Sequence, residues 1–215
     1  MLKRLLLSLS LLVFMPVLAC AEDTAQTYVE GTHYDLISPP VRTADADKIE
    51  VAEFFWYGCG HCYTFEPMIG QWKKTLADDV IFRGSPAMWN PQMELHAKAF
   101  YAAEVLGVLD TMNLVIFQAM NVDRKRLSSQ AEIAQLFTAN GVAEEDFTKA
   151  FNSFGVSSMV RQAGARARSA KITGTPALMV NGKYHISTRK KGVGHAEMLK
   201  IADYLIEKER GAQGS

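Results

Sequence analysis

Glu53-Phe54-Phe55-Trp56-Tyr57-Gly58-Cys59-Gly60-His61-Cys62-Tyr63 is the stretch on which the reading of this chain turns. It begins as an apolar run, stops at a glycine, and then sets two cysteines three residues apart. At helical spacing, residues i and i+3 share a face, close enough for two sulfurs to bridge. Gly60-His61 adds no bulk that would prevent it. The pattern reads as a redox-active dithiol at the first turn of a helix. A thiolate there meets free backbone N–H groups and the positive end of the helix dipole, so Cys59 is expected to be the acidic, attacking thiol. Cys62, one turn deeper, is expected to be the thiol that closes the disulfide.

The cysteine count sharpens this. The chain has three cysteines, and apart from Cys20 they are these two. A scaffold stapled by disulfides would carry four or more, spread along its length. One bridge across so short a loop restrains little of the unfolded chain. Half of a structural zinc site is the other reading of Cys-x-x-Cys. With no second cysteine pair the expectation is no metal.

Outward from the dithiol, Ile49 to Trp56 is the strongest strand signal, rich in β-branched and aromatic residues and apolar on both faces, as a central strand should be. The helix after Gly58 is expected to run to about Leu76, with Pro67 kinking it. Asp78-Asp79 is a turn and Val80 to Pro86 a second core strand, giving a parallel βαβ unit with a right-handed crossover. Upstream, residues 22–33 read as a flexible leader and Tyr34 to Ile37 as a short strand. Five helices follow: Gln92–Leu106, Asp110–Val122, Ser129–Ala139, Ala143–Phe151 and Val156–Lys171. Asn113, Asn140-Gly141 and Asn152-Ser153 mark possible ends or turns. Ala177 to Val180 and Lys183 to Ser187 are strands around an Asn181-Gly182 hairpin, and His195 to Arg210 is a closing amphipathic helix. The expected division is a signal peptide at 1–21, one sheet-bearing part at 22–89, an inserted helical subdomain at 90–171, and the rest of the sheet-bearing part at 172–215.

The 215 residues are 48% hydrophobic and 21% charged, enough for a sizeable core, and the formal net charge is zero. That balance argues against a nucleic-acid partner. Lys3-Arg4, the apolar run Leu5 to Leu18 and the small residues Ala19-Cys20-Ala21 read as a cleaved secretory signal, too short for a comfortable membrane span. Cleavage after Ala21 removes Lys3 and Arg4 and no acid, leaving a net charge of −2. Val17-Leu18-Ala19-Cys20 also resembles a lipobox, which would make Cys20 a lipid anchor; soluble export is the first expectation. Either way the domain reaches an oxidising compartment, where disulfides persist.

Three more features bear on the dithiol. Glu53 shares a strand face with Ile49, Val51 and Phe55; burial should raise its pKa towards neutrality and let it shuttle the Cys62 proton. Glu50, nearer the strand start, is expected to be solvated. His61, between the cysteines, is expected to stabilise the Cys59 thiolate when protonated. Thr175-Pro176, before a core strand, is either an ordinary trans turn or a cis turn offering backbone groups to an extended peptide. Phe54, Phe55, Trp56 and Phe65 read as core. Arg161, Arg166, Arg168 and Arg189-Lys190-Lys191 read as solvated.

Taken together, the signal peptide, Cys-Gly-His-Cys, the helical insertion, Gly174-Thr175-Pro176, the Asn181-Gly182-Lys183-Tyr184 hairpin and the final helix resemble the DsbA family of periplasmic thiol:disulfide oxidoreductases. Glu-Phe-Phe-Trp-Tyr-Gly-Cys and Cys-Tyr-x-Phe-Glu-Pro are close to its pseudomonad members. The resemblance implies an α/β thioredoxin fold with an inserted all-helical subdomain. It implies a disulfide donor with Cys59 nucleophilic, Cys62 resolving, Glu53 the buried acid and Pro176 cis. It also implies no cofactor beyond the Cys59–Cys62 disulfide, a monomer, unfolded exported proteins with free thiols as substrates, and a membrane quinone reductase of the DsbB type as reoxidant. Two positions depart from the usual oxidase: Gly60 stands where proline is common, and Thr175 where valine is. They keep a periplasmic disulfide isomerase or reductase as the alternative.

Overall fold

The computed structural model describes residues 27–213; the expected signal peptide and Cys20 lie outside them. Five strands form one mixed sheet: β1 (Asp35–Leu36), β2 (Ile49–Phe55), β3 (Val80–Pro86), β4 (Ala177–Val180) and β5 (Tyr184–Ser187), in the order β1-β5-β4-β2-β3. β2 and β3 run parallel, joined through α1 (Gly60–Trp72) and a single 3₁₀ turn, Lys73–Thr75. β4 pairs antiparallel with β2 and β5, and β1 pairs antiparallel with β5. Every residue of β2 is buried, as befits a strand covered on both faces.

Alternation along β2 assigns its two faces. Ile49 and Val51 pack with Phe65, Ile69 and Trp72 of α1 and with Met198, Ile201 and Leu205 of α7 (His195–Gln213). Ala52 and Phe54 face the other way, onto Ala167, Ala170 and Ile172. Phe55, at the strand's end, joins a third cluster with Tyr57, Cys62, Phe100, Met112 and Phe117.

That third cluster is the core of the helical insertion, which lies between β3 and β4: α2 (Pro91–Val105), α3 (Leu109–Asn121), α4 (Gln130–Thr138), α5 (Glu144–Phe151) and α6 (Phe154–Ser169). Side-chain caps start three of them. Asn90 accepts from the Met93 N–H, Ser129 from Glu132 and Ser153 from Val156, each satisfying a donor the helix leaves free. Among the described residues no helix is long and apolar enough to cross a membrane.

Four expectations are corrected. Residues 27–33 are not a flexible leader: Tyr28 is buried, donates its hydroxyl to Glu197 Oε1 at 2.8 Å and meets Tyr204 edge-on. Asn113 ends nothing; it lies inside α3, where its amide finds tertiary partners. Glu50 is not solvated. It is 2% exposed, takes the Arg83 guanidinium at 3.2 Å and accepts the Ala44 N–H at 3.1 Å. Arg83 sits on the neighbouring strand β3, and a buried carboxylate persists when a cation and hydrogen bonds face it. Arg189 and Lys190 are also more than solvated loop. Arg189 donates to the Thr173 hydroxyl and carbonyl, and Lys190 pairs with Asp35 at 2.6 Å.

The β4–β5 hairpin forms where expected but with three residues in its loop, not two: Val180 pairs with Tyr184, so β5 starts one residue after Lys183. Asn181 and Gly182 both have left-handed backbones, at φ 49° and 67°, and the Lys183 N–H closes the turn on the Val180 carbonyl at 3.0 Å. A Cβ on Gly182 would stand 1.9 Å from the Val41 carbonyl oxygen, which is backbone and cannot swing aside. Gly182→Ala should therefore lower stability by roughly 3 kcal/mol, through left-handed strain plus the clash. Chemical denaturation checks this, and an unchanged midpoint would contradict it.

Candidate active site

The end of β2 delivers the site. After Phe55 the chain turns through Trp56-Tyr57-Gly58, and the Cys59 N–H donates to the Trp56 carbonyl at 2.9 Å. Gly58 is obligatory here, since a Cβ would lie 2.4 Å from the Trp56 indole. Cys59 is the N-cap of α1, with extended backbone, and Gly60 is the first helical residue. Both cysteines are free thiols; Cys59 is half-buried and Cys62 fully buried.

The two sulfurs are electrostatically unequal. The Cys59 thiol is pulled down to about 5. The chief cause is a hydrogen bond from Cys62, which outweighs desolvation; the Thr175 side chain and the backbone N–H groups of Cys62 and His61 add to it. Cys62 moves the other way: burial first, then its neighbour Cys59, raise its thiol well above the ordinary range. A thiol that stays protonated donates to a thiolate that stays ionised.

Thr175-Pro176 lies against this pair, and its peptide bond is cis. As a thiol, Cys59 donates to the Thr175 carbonyl at 3.5 Å. The Thr175 side chain favours the ionised form of the same sulfur. The loop ahead of the proline is held by Arg189 on Thr173.

His61 and Gly60 are exposed. The His61 backbone reaches the Cys59 sulfur, while its ring lies 6.1 Å from that of His195. His195, the first residue of α7, stacks on Phe65 at 4.9 Å. Two imidazoles thus stand beside the dithiol where the sequence singled out one. Burial, then His61, lower the pKa of His195.

Glu53 lies beneath, 3% exposed, and its Oε1 has no hydrogen-bond partner among the described residues. Burial raises its carboxyl well above the usual range, and the nearby Glu66 adds to the shift while Lys73 opposes it. Glu66 is itself raised by burial. It accepts from Asn113 Nδ2 at 2.7 Å, and Asn113 Oδ1 accepts the Tyr57 hydroxyl at 2.9 Å. Both carboxyls line a cleft of about 800 Å³ among α1, β3, α2 and α3. The sequence marked Glu53 but not Glu66, although Glu66 sits four residues after Cys62, one helical turn along the same face.

This geometry can be set beside known proteins. The family model for the DSBA-like thioredoxin domain matches residues 76–205, beginning after the dithiol and including Thr175-Pro176. The thiol:disulfide interchange protein DsbA of Pseudomonas aeruginosa is 39% identical over 188 residues, covering 87% of this chain and 89% of that protein. Its namesake from Azotobacter vinelandii is 40% identical over 183 residues, 85% of each. The crystal structure of P. aeruginosa DsbA superposes with a TM-score of 0.84 at 39% identity, covering 87% of this chain and 97% of that one. The oxidoreductase NmDsbA1 from N. meningitidis gives a TM-score of 0.76 at 26% identity, over 87% and 96%.

The Cys59 shift has a measurable consequence. Its folded pKa lies at about 5, below the ordinary 9.0, so the reduced protein gains stability as pH rises from 5 towards 9 and loses it as pH falls back through 5. Reduced wild type should therefore exceed Cys59→Ala in stability by more at about pH 8 than at about pH 4. Urea midpoints at the two pH values check this. An equal difference at both would rule out a stabilised thiolate.

Proposed function

The chain belongs to the DSBA-like thioredoxin family, and on that premise we propose that Cys59–Cys62 passes its disulfide to free thiols of unfolded proteins exported to the periplasm. It is a thiol:disulfide oxidoreductase with the thioredoxin fold and a helical insertion. The observation that carries the finer reading is the inequality of the sulfurs: Cys59 falls to about 5 while Cys62 rises. A dithiol whose reduced form is stabilised in this way is an oxidant.

In the reaction, a substrate thiolate attacks the Cys59 sulfur of the disulfide. The Cys59–Cys62 bond breaks and its electron pair leaves on Cys62. Cys62 is a poor anion in its buried site, so it needs a proton. Glu53, kept protonated by burial, supplies it, directly or through water in the cleft it lines. A second substrate thiolate then attacks the substrate sulfur of the mixed disulfide, and Cys59 departs as the stabilised thiolate. The substrate is oxidised by two electrons and the protein dithiol takes them. His61 and Gly60 shape the exposed side of Cys59, and Thr175-Pro176 offers the incoming chain its backbone. The redox disulfide is the whole chemical equipment; reoxidation falls to a membrane quinone reductase of the DsbB type.

The protein acts as a monomer, exported by cleavage of residues 1–21, with 22–89 and 172–215 forming the sheet-bearing unit and 90–171 the insertion. A second reading, a disulfide isomerase or reductase, rests on Gly60 and Thr175 standing where oxidases of this family commonly carry proline and valine; the hydrogen bond from the Thr175 side chain to the Cys59 thiolate speaks against it, because it stabilises the reduced form. The redox state trapped in cells separates the two: an oxidase is found oxidised, an isomerase reduced.

Stoichiometric oxidised protein should refold a reduced multi-cysteine substrate and be left as the dithiol. Substrate thiols that stay free while Cys59–Cys62 stays oxidised would defeat the proposal. Glu53→Gln keeps the shape and removes the proton. It should slow formation of the mixed disulfide by about tenfold, less than a full general-acid effect because water can substitute. Rapid-mixing kinetics give the rate; a wild-type rate would remove Glu53 from the mechanism.

A further inference from the structure

Among the buried titratable groups that take no part in this mechanism, one bridges to the turn that carries the dithiol. His96, on α2, is 1% exposed and joins two distant segments. Its Nδ1 accepts the Trp56 indole N–H at 3.0 Å. An indole nitrogen only donates, so Nδ1 carries no proton and the ring is the neutral Nε2–H tautomer. Nε2 then donates to the Leu127 carbonyl at 3.0 Å. The two rings also stack, with centroids 6.3 Å apart and planes 16° from parallel.

Both ends of this bridge matter. Leu127 is buried and holds a left-handed backbone at φ 47°, as does Arg124 at 59°, in the loop before α4. A branched side chain rarely adopts that conformation unless its surroundings enforce it. Trp56 is tied to both cysteines. Its carbonyl receives the Cys59 N–H, its backbone hydrogen-bonds the Cys62 sulfur, and its indole packs over Gly58. We propose that His96 is a positioning residue for thiol–disulfide exchange: in its neutral form it fastens the Trp56 indole, and through it the turn carrying Cys59 and Cys62, to the loop at Arg126–Leu127.

Protonation would undo the fastening, because imidazolium donates from both nitrogens and cannot accept from Trp56. The groups facing the ring are the indole from the β2 end and the carbonyls of Leu127 and Arg126 from the loop. Burial lowers the His96 pKa below 6.5, against the pull of those carbonyls, so the bridge holds at neutral pH and opens only in acid.

The inference rests on Cys59–Cys62 being the exchanging pair. The test is the equilibrium of the full mature protein with glutathione from neutral to acid pH, with thiolate absorbance followed in parallel. His96→Leu removes both hydrogen bonds and should shift the equilibrium constant by about fivefold, the worth of one ordinary hydrogen bond. His96→Gln keeps an acceptor and a donor without titrating. It should match wild type at neutral pH and diverge from it below pH 6.5. Trp56→Phe removes the same bond from the other side, should reproduce the shift, and decides the matter if His96→Leu fails to fold. A folded His96→Leu or Trp56→Phe protein with the wild-type equilibrium at every pH would overturn the proposal. If wild type itself does not exchange with glutathione, it is the reading of the dithiol that fails.

Discussion

A hydrogen bond between two sulfurs is the constraint on which this molecule depends. It is strong only if one sulfur is ionised and the other keeps its proton, and the fold pushes the two that way. Cys59 stands at a helix start, where N–H groups converge and solvent reaches it. Cys62 stands a turn deeper, where burial forbids charge. The same three-residue spacing on a solvated helix would give two similar thiols and no preference for attack. Burial of the second cysteine, and so the packing of Phe55, Tyr57 and Phe117 around it, is as much a part of the chemistry as the helix dipole.

The carboxyls beneath repeat that logic with the opposite proton balance. Glu53 cannot ionise cheaply, with apolar neighbours on its face and Glu66 close by. In the proposed exchange it would store one proton behind the sulfur that receives one. Glu66, close enough to raise Glu53 further, is tied through Asn113 to Tyr57, and both carboxyls line the cleft. Glu50, three residues earlier on the same strand, shows the contrasting outcome: the Arg83 cation faces it and holds it as an ion pair.

Local patterns were legible wherever the cause was local. Val80–Pro86 and Ala177–Val180 carry their limits in turn residues on either side, and the observed strands share them. The helix start at Ser129 is written by a capping side chain; Ser153 caps the last helix of the insertion in the same way, although the pattern alone placed that start at Val156, two residues late. Cys-x-x-Cys, the strand before it and the hairpin were likewise readable. What escaped depends on partners far along the chain. Asn113 looked like a terminus because asparagine usually is one; its value comes from Tyr57, 56 residues away. His96 meets Trp56 across 40 residues, and Tyr28 meets Glu197 across 169. One such case left a trace. A buried-looking Glu50 and an Arg83 in a core strand are two local anomalies, and a parallel βαβ unit brings anomalies on adjacent strands together.

Helix α1, like strand β2 before it, belongs to two hydrophobic cores at once. Its first turn lends Cys62 to the core of the helical insertion, and its next turns lend Phe65, Ile69 and Trp72 to the core under the sheet. One rigid rod therefore belongs to both hydrophobic cores, and neither can loosen without disturbing it. Amide hydrogens along α1 exchange with solvent only when both cores open, so the insertion and the sheet are bound into one cooperative unit. The reactive thiol sits at the end of that rod, in the part of the molecule least able to unfold by itself.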